Sequence, residues 1–216
     1  VAYYSCTVSG VGSQTLTVSA AAAPGGPLAT VSLTVPVPQV TLLVTNGAAV
    51  SGQLVITLAP ELTPITVDNF LAYVKSGFYN GTIFHRNGRT GSGGPFVLQG
   101  GGYTGPVSGN GGLPAPKPTN AAIALEQGLS NLRYTVAMAR TSALNSATSE
   151  FFINTADNVF LDTSGGGYAA FGTVTTGASL VDAMSTAPCT AGFFGVGNPD
   201  CLPEPNLTIA SAQQTR

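Results

Sequence analysis

Apolar side chains in this chain recur mostly at every second position, the periodicity of strands buried on one face. Near the N-terminus Val8, Leu16, Val18, Val31, Leu33 and Val35 alternate with Thr and Ser, and Pro24-Gly25-Gly26-Pro27 interrupts them as a turn. Pro36 and Pro38 mark a boundary. Residues 1–38 are therefore expected to form a β-rich extension packed on a main domain spanning 39–216. In that domain Val40-Thr41-Leu42-Leu43-Val44 and Gly52-Gln53-Leu54-Val55-Ile56-Thr57-Leu58 predict two strands joined by a turn of Gly, Ala and Ser. Further strands are predicted at 82–85, 96–99, 134–138, 150–154, 169–174 and 207–209. Two stretches change period. Thr63-Pro64 opens a helix with Pro in its first turn, and Ile65, Phe70, Leu71 and Val74 share its apolar face up to Gly77. Residues 178–184 predict a second, shorter helix. Gly88, Gly91, Gly93 and Gly94 make residues 87–95 a mobile surface loop. Many short strands with two helices predict a mainly β fold, a closed barrel capped by helices.

Composition narrows the partners. Of 216 residues 44% are hydrophobic, an ordinary supply for a core, but only 7% are charged. Average soluble proteins carry about 25%. Seven Lys and Arg against nine Asp and Glu leave a net charge of -2. Nucleic acid and a polybasic membrane contact are thereby excluded, because both need clustered cations. No apolar run reaches the roughly 18 residues of a membrane span. The polar surface must come from Ser, Thr, Asn, Gln and Gly, a composition commoner in exported proteins. A periplasmic or secreted location is expected, with the cytoplasm as the alternative.

Most familiar chemistries find no support. The one histidine, His85, would have to be the base of any hydrolytic triad, and no G-x-S-x-G is present. Gly100-Gly101-Gly102 and Gly165-Gly166-Gly167 are not phosphate loops, since neither Lys75 nor Lys117 follows one. Tight turns or close backbone approach explain them. A four-ligand zinc site would need His85 with Cys6, Cys189 and Cys201, whose spacing fits no zinc pattern. Cys189 and Cys201 bracket a Gly- and Pro-containing segment. Either a disulfide closes it in an oxidising compartment or the chain holds three free thiols. In the first case Cys6 is left over.

One set of blocks is more specific. In order along the chain stand Phe84-His85-Arg86, Pro95-Phe96-Val97-Leu98-Gln99-Gly100-Gly101, Val136-Ala137-Met138-Ala139-Arg140-Thr141, Ser146-Ala147-Thr148-Ser149-Glu150-Phe151-Phe152-Ile153-Asn154, Phe160-Leu161-Asp162 and Tyr168-Ala169-Ala170-Phe171-Gly172. Together with Thr66-Val67-Asp68-Asn69-Phe70-Leu71 and Ser76-Gly77-Phe78-Tyr79-Asn80-Gly81-Thr82, the sequence from about residue 40 to 211 resembles the cyclophilin family of peptidyl-prolyl cis-trans isomerases. The blocks at 138–141 and 146–148 look most like the bacterial branch.

The resemblance implies an eight-stranded antiparallel barrel capped by two α-helices, with a proline pocket on its outer face. It implies isomerase activity on proline-containing polypeptides, with no metal and no cofactor. Arg86 would be the catalytic guanidinium and Gln99 its neighbour. Phe96, Val97, Phe152, Leu161 and Tyr168 would line the pocket, and Gln99, Glu150 and Phe160 would also contact the substrate. Ala139, Arg140 and Thr141 fall where the family offers backbone hydrogen bonds to substrate. Several positions depart from the family pattern. Nine residues separate Arg86 from Phe96, more than the family usually has. Val97 stands where Met is usual. Glu150 stands where Gln is usual, and its carboxylate is expected to pair with Arg86. Phe160 and Tyr168 replace the Trp and His of cyclosporin-sensitive members, so cyclosporin is expected to bind weakly. With no long heptad run, a monomer is expected. The segment between Cys189 and Cys201 lies beyond every one of these positions in sequence, so a crosslink there is expected to act on stability alone.

Overall fold

In the computed structural model, which describes residues 10–18, 29–108, 112–194 and 198–216, the alternating segments pair into antiparallel ladders. The described residues divide into two units at Val37 and Pro38. In the first, β1 (Gly12–Val18) runs against β2 (Ala29–Val35), with Leu16 opposite Val31. Val8, Cys6 and the turn expected at Pro24-Gly25-Gly26-Pro27 lie outside the described residues.

The second unit contains β3 (Gln39–Thr45), β4 (Ser51–Leu58), α1 (Pro64–Lys75), β5 (Thr82–Arg89), β6 (Pro95–Thr104), β7 (Thr135–Met138), β8 (Phe151–Asn154), β9 (Ala170–Thr176), α2 (Ala178–Ser185), β10 (Cys189–Ala191), β11 (Cys201–Pro203) and β12 (Leu207–Gln214). Around the sheet the order is β5-β12-β3-β4-β9-β7-β8-β6, and β6 pairs back onto β5. Eight antiparallel strands therefore close a barrel. The period of two decides what lies inside it. Val40, Leu42 and Val44 of β3 and Leu54, Ile56 and Leu58 of β4 are buried, while the residues between them face outward or lie at the rim. Phe70 and Val74 of α1 and Val181 and Met184 of α2 join the same core, as do Phe151, Ile153 and Phe171.

Helix α1 starts where Pro64 was expected to start it, but Thr63 makes no side-chain cap. Glu126, from the long connection after β6, does that work. Its carboxylate accepts the N–H groups of Ile65 at 3.1 Å and Thr66 at 2.7 Å, and the Thr66 hydroxyl at 2.7 Å. An anion at a helix N-terminus is also attracted to the positive end of the helix dipole. Ile65, expected on the apolar face, is exposed, and Val67 and Tyr73 complete that face instead.

Two further differences bear on function. The expected mobile loop at 87–95 is mostly sheet. Asn87 pairs with Leu98, Gly88 with Val97 and Arg89 with Pro95, leaving only residues 90–94 as the turn. That turn is itself bonded, from Thr90 N–H to the Gly94 carbonyl and from Gly93 N–H to the Thr90 carbonyl. The other addition is the β10–β11 pair. Cys201 of β11 pairs with Asn87 of β5, past the point where β12 leaves the same strand edge at Phe84. Cys189 and Cys201 are disulfide-bonded across this pair.

Candidate active site

Strands that send one side chain into the barrel send the next one out. On β8, Phe151 and Ile153 enter the core, and Phe152 between them points outward. On β6, Leu98 enters the core and Val97 faces out. Val97, Ala137, Phe152, Leu161 and Ala170 form a second apolar cluster, with Phe96, Leu129, Ala139 and Tyr168 packed against it. A cavity of about 170 Å³ opens over this cluster. It is lined by Arg86, Phe96, Val97, Gln99, Ala139, Arg140, Phe152, Leu161 and Tyr168, all of them expected site residues.

Arg86 reaches the outer face through a β-bulge. Phe84 is opposite Gly100 and Arg86 is opposite Gln99, so β5 carries one extra residue, His85. The bulge re-aims the side chain that follows it. Gly100 permits the close approach, since a Cβ there would stand 2.9 Å from the Ile83 carbonyl oxygen. Two partners hold the guanidinium. Nη1 donates to Gln99 Oε1 at 2.9 Å and Nε donates to Asp200 Oδ2 at 2.6 Å. Its carbon lies 5.9 Å from the Phe96 ring centre.

Glu150 does not pair with Arg86, contrary to expectation. Gln99 stands between them and donates from Nε2 to Glu150 Oε2 at 2.8 Å. Burial raises the carboxyl pKa of Glu150, opposed by that hydrogen bond. His85 Nε2 lies 3.5 Å from the same oxygen. Burial, and then the Arg86 charge, lower the His85 pKa to about 4. At neutral pH this contact therefore joins a neutral imidazole to a carboxyl group and is not an ion pair. His85 also packs against Tyr103, with ring centres 4.7 Å apart.

Arg140 has a structural side chain. Nε and Nη2 donate to the Gly167 carbonyl at 3.0 and 2.8 Å, Nη2 also reaches Gly165 at 2.6 Å, and Nη1 reaches its neighbour Thr141 at 2.9 Å. The guanidinium lies 4.4 Å from the Tyr168 ring centre and so fixes that wall of the cavity. Gly167 is required there, because a Cβ would stand 2.6 Å from the Asp162 carbonyl oxygen. Thr141 and Glu150 are outside the first cavity. They line a second one of about 270 Å³ with Gln99, Ala139, Arg140, Ser146 and Thr148. Phe160 lines neither cavity; it is exposed and stacks on Phe96, with ring centres 5.8 Å apart.

Sequence reasoning missed Asp200. The expectation that the Cys189–Cys201 segment stands apart from the site is not met, since Asp200 lies within it and binds Arg86. The one signal available was that Asp200 adjoins Cys201, so a crosslink there also fixes the acid.

The comparisons with known proteins agree with this geometry. The family described as cyclophilin type peptidyl-prolyl cis-trans isomerase/CLD matches residues 41–214. A peptidyl-prolyl cis-trans isomerase of Streptomyces antibioticus is 47% identical over 62% of this chain and 78% of its own. Peptidyl-prolyl cis-trans isomerase A of Dickeya dadantii is 41% identical over 80% of this chain and 83% of its own. A cyclophilin of Cryptosporidium parvum, solved in the presence of the dipeptide Ala-Pro, superimposes with a TM-score of 0.62 at 25% identity, over 82% of this chain and 99% of its own. Barrel, outer-face cavity and relatives lead to one conclusion: the chain belongs to the cyclophilin-type peptidyl-prolyl cis-trans isomerase family, among relatives that include bacterial ones.

Proposed function

We propose that this chain is a peptidyl-prolyl cis-trans isomerase that speeds rotation about X–Pro bonds in polypeptides, with Arg86 as its catalytic residue. The observation that carries the reading is a guanidinium, fixed by two partners, in the lining of a cavity that also exposes Phe96, Val97, Phe152, Leu161 and Tyr168. Amide resonance sets a rotation barrier of about 18–20 kcal/mol. At X–Pro bonds the two isomers differ by only about 0.5–1 kcal/mol, so the rate alone needs help. As the bond twists, the prolyl nitrogen becomes pyramidal and gains a lone pair. A fixed N–H donor aimed there stabilises charge that develops only in the transition state. Among the described residues Nη2 of Arg86 has no partner, which leaves a donor for that lone pair. Phe96, Val97, Phe152, Leu161 and Tyr168 would hold the ring by apolar contact. The Arg140 main chain, whose side chain is occupied within the fold, would bind the peptide.

A protease-coupled assay on a prolyl peptide tests this. The chain should accelerate isomerisation, and Arg86→Ala should lose about 2.7–4 kcal/mol of transition-state stabilisation, as when one oxyanion donor is removed. Binding of the peptide without acceleration would overturn the enzymatic reading in favour of a proline-binding module. We also propose a role in folding other proteins outside the cytoplasm, in the periplasm or beyond the cell. The disulfide and the 7% charged composition support that location. Weak cyclosporin binding and a monomeric state complete the proposal, the former from Phe160 and Tyr168.

A further inference from the structure

We propose that Asp200 is a positioning residue for Arg86 and that the Cys189–Cys201 disulfide holds it in place, so that the crosslink state of the β10–β11 hairpin sets the isomerase rate. The inference rests on Arg86 being the catalytic group. Arginine is long, and a single hydrogen bond to Nη1 leaves its guanidinium free to pivot about that contact. Gln99 supplies that bond. Asp200 supplies a second on a different edge, at Nε, and the two together fix the plane. The remaining terminal nitrogen is then aimed by the fold and needs no help from substrate. Preorganisation of this kind is what makes a donor worth having in a twisted-amide transition state.

Asp200 is itself constrained. It is 8% exposed, and its second oxygen, Oδ1, accepts the Arg89 backbone N–H at 2.8 Å. Its own N–H donates to Asn198 Oδ1 at 3.0 Å. The next residue, Cys201, makes the one registered pair between β11 and β5, opposite Asn87. Beyond it, buried Leu202 packs with Ile83 and Val107 and anchors the far side of β11. On the near side the disulfide to Cys189 is the covalent tie. Cutting it leaves Leu202 and the pairs of Cys201 with Asn87 and Ala191 in place and loosens the segment before β11, which carries Asp200.

The test is a set of variants assayed for kcat and KM on one prolyl peptide, each corrected for the folded fraction by a thermal melt. Asp200→Ala should lower kcat ten- to a hundredfold and leave KM within about twofold. Asp200→Asn should lie between, because its amide oxygen still accepts from Nε without the charge. In an Arg86→Ala background, Asp200→Ala should change nothing further, which a merely structural role would not produce. The double variant Cys189→Ser/Cys201→Ser should lower kcat by less than Asp200→Ala, and should have no effect in the Asp200→Ala background. Dithiothreitol should act in the same way. It passes two electrons and two protons to the disulfide, giving two protein thiols and its own cyclic disulfide. Folded Asp200→Ala with kcat within twofold of wild type overturns the proposal, as does an equal loss in the Arg86→Ala background. An unchanged kcat in folded, reduced protein overturns the role of the disulfide. A wild-type chain without isomerase activity overturns the function assigned above, a different outcome from all of these.

Discussion

Arg86 is tied to its neighbours more tightly than a solvent-facing catalytic residue would be, and this changes what its removal does. Arg86→Ala leaves the Asp200 carboxylate, 8% exposed, with the Arg89 N–H and without its cation. A stability loss of about 1–3 kcal/mol should accompany the catalytic loss, and Asp200→Asn in the same chain should recover part of it. The neighbouring pair His85 and Glu150 carries opposite pH dependences. His85 titrates near 6.5 when unfolded and at about 4 in the fold. Between those values the unfolded chain binds a proton that the native chain refuses. Stability is therefore lost as pH falls from 6.5 through 4, by at most roughly 3 kcal/mol. The raised Glu150 acts the other way. Its native form keeps a proton that the unfolded form has released, so its contribution falls as pH rises from 4.5 through the raised value. Glu150→Gln removes only the second effect. The variant should melt higher than wild type at pH 8, match it at pH 4, and keep the acid-side decline due to His85. A melting difference independent of pH would show that the Glu150 charge has no part in it.

At the level of elements, the β5–β6 hairpin separates what can be cut from what cannot. Residues 90–94 bond chiefly to one another, whereas Asn87 is buried with its amide on the Ser185 carbonyl and Arg89 holds both Ser185 and Asp200. Replacing 90–94 by Asn-Gly, a favoured two-residue hairpin turn, should leave isomerase activity within about threefold. Deleting 87–91 should abolish it in whatever protein folds. Equal activities in the two variants would mean that the sheet part of the hairpin has no role in the site. This hairpin also shows where a sequence stops being legible. Strands such as β3 and β4 could be read directly, because Val40, Leu42, Val44 and their partners alternate and every second one is buried. The apolar lining of the cavity was legible through the family blocks, since Phe96, Phe152, Leu161 and Tyr168 stand in motifs of fixed order. Residues 87–95 were misread because glycine there signals freedom locally, while the strand pairing that removes it comes from across the sheet. The bulge at His85 has no local signature either, and neither has Glu126 as the cap of a helix that begins about sixty residues earlier in the chain. Each depends on contacts between segments far apart in sequence, which periodicity does not encode.

For the whole molecule, the disulfide is where the proposals on stability, compartment and catalysis can be tested together. Cys189 and Cys201 are 12 residues apart, so the crosslink restrains a short loop of the unfolded chain. In the chain-entropy model a loop of that size contributes about 3 kcal/mol. For a domain of 150–250 residues each kcal/mol moves the melting temperature by about 2–4 °C, so reduction should lower it by about 6–12 °C. That shift is global, because the barrel closes through β5, the strand on which β11 is docked. The same treatment acts locally on Asp200 and so on Arg86, and the two effects separate by temperature. Well below the reduced melting transition nearly all molecules are folded, and any remaining loss of rate belongs to the site. Melting and rate should therefore be measured on one sample, oxidised and then reduced, at 15 °C and through the transition. A fall in melting temperature with an unchanged low-temperature rate would leave the disulfide as a stabiliser only. A melting temperature that does not move would mean that Leu202 and the pairing with Asn87 hold the hairpin without help from the disulfide.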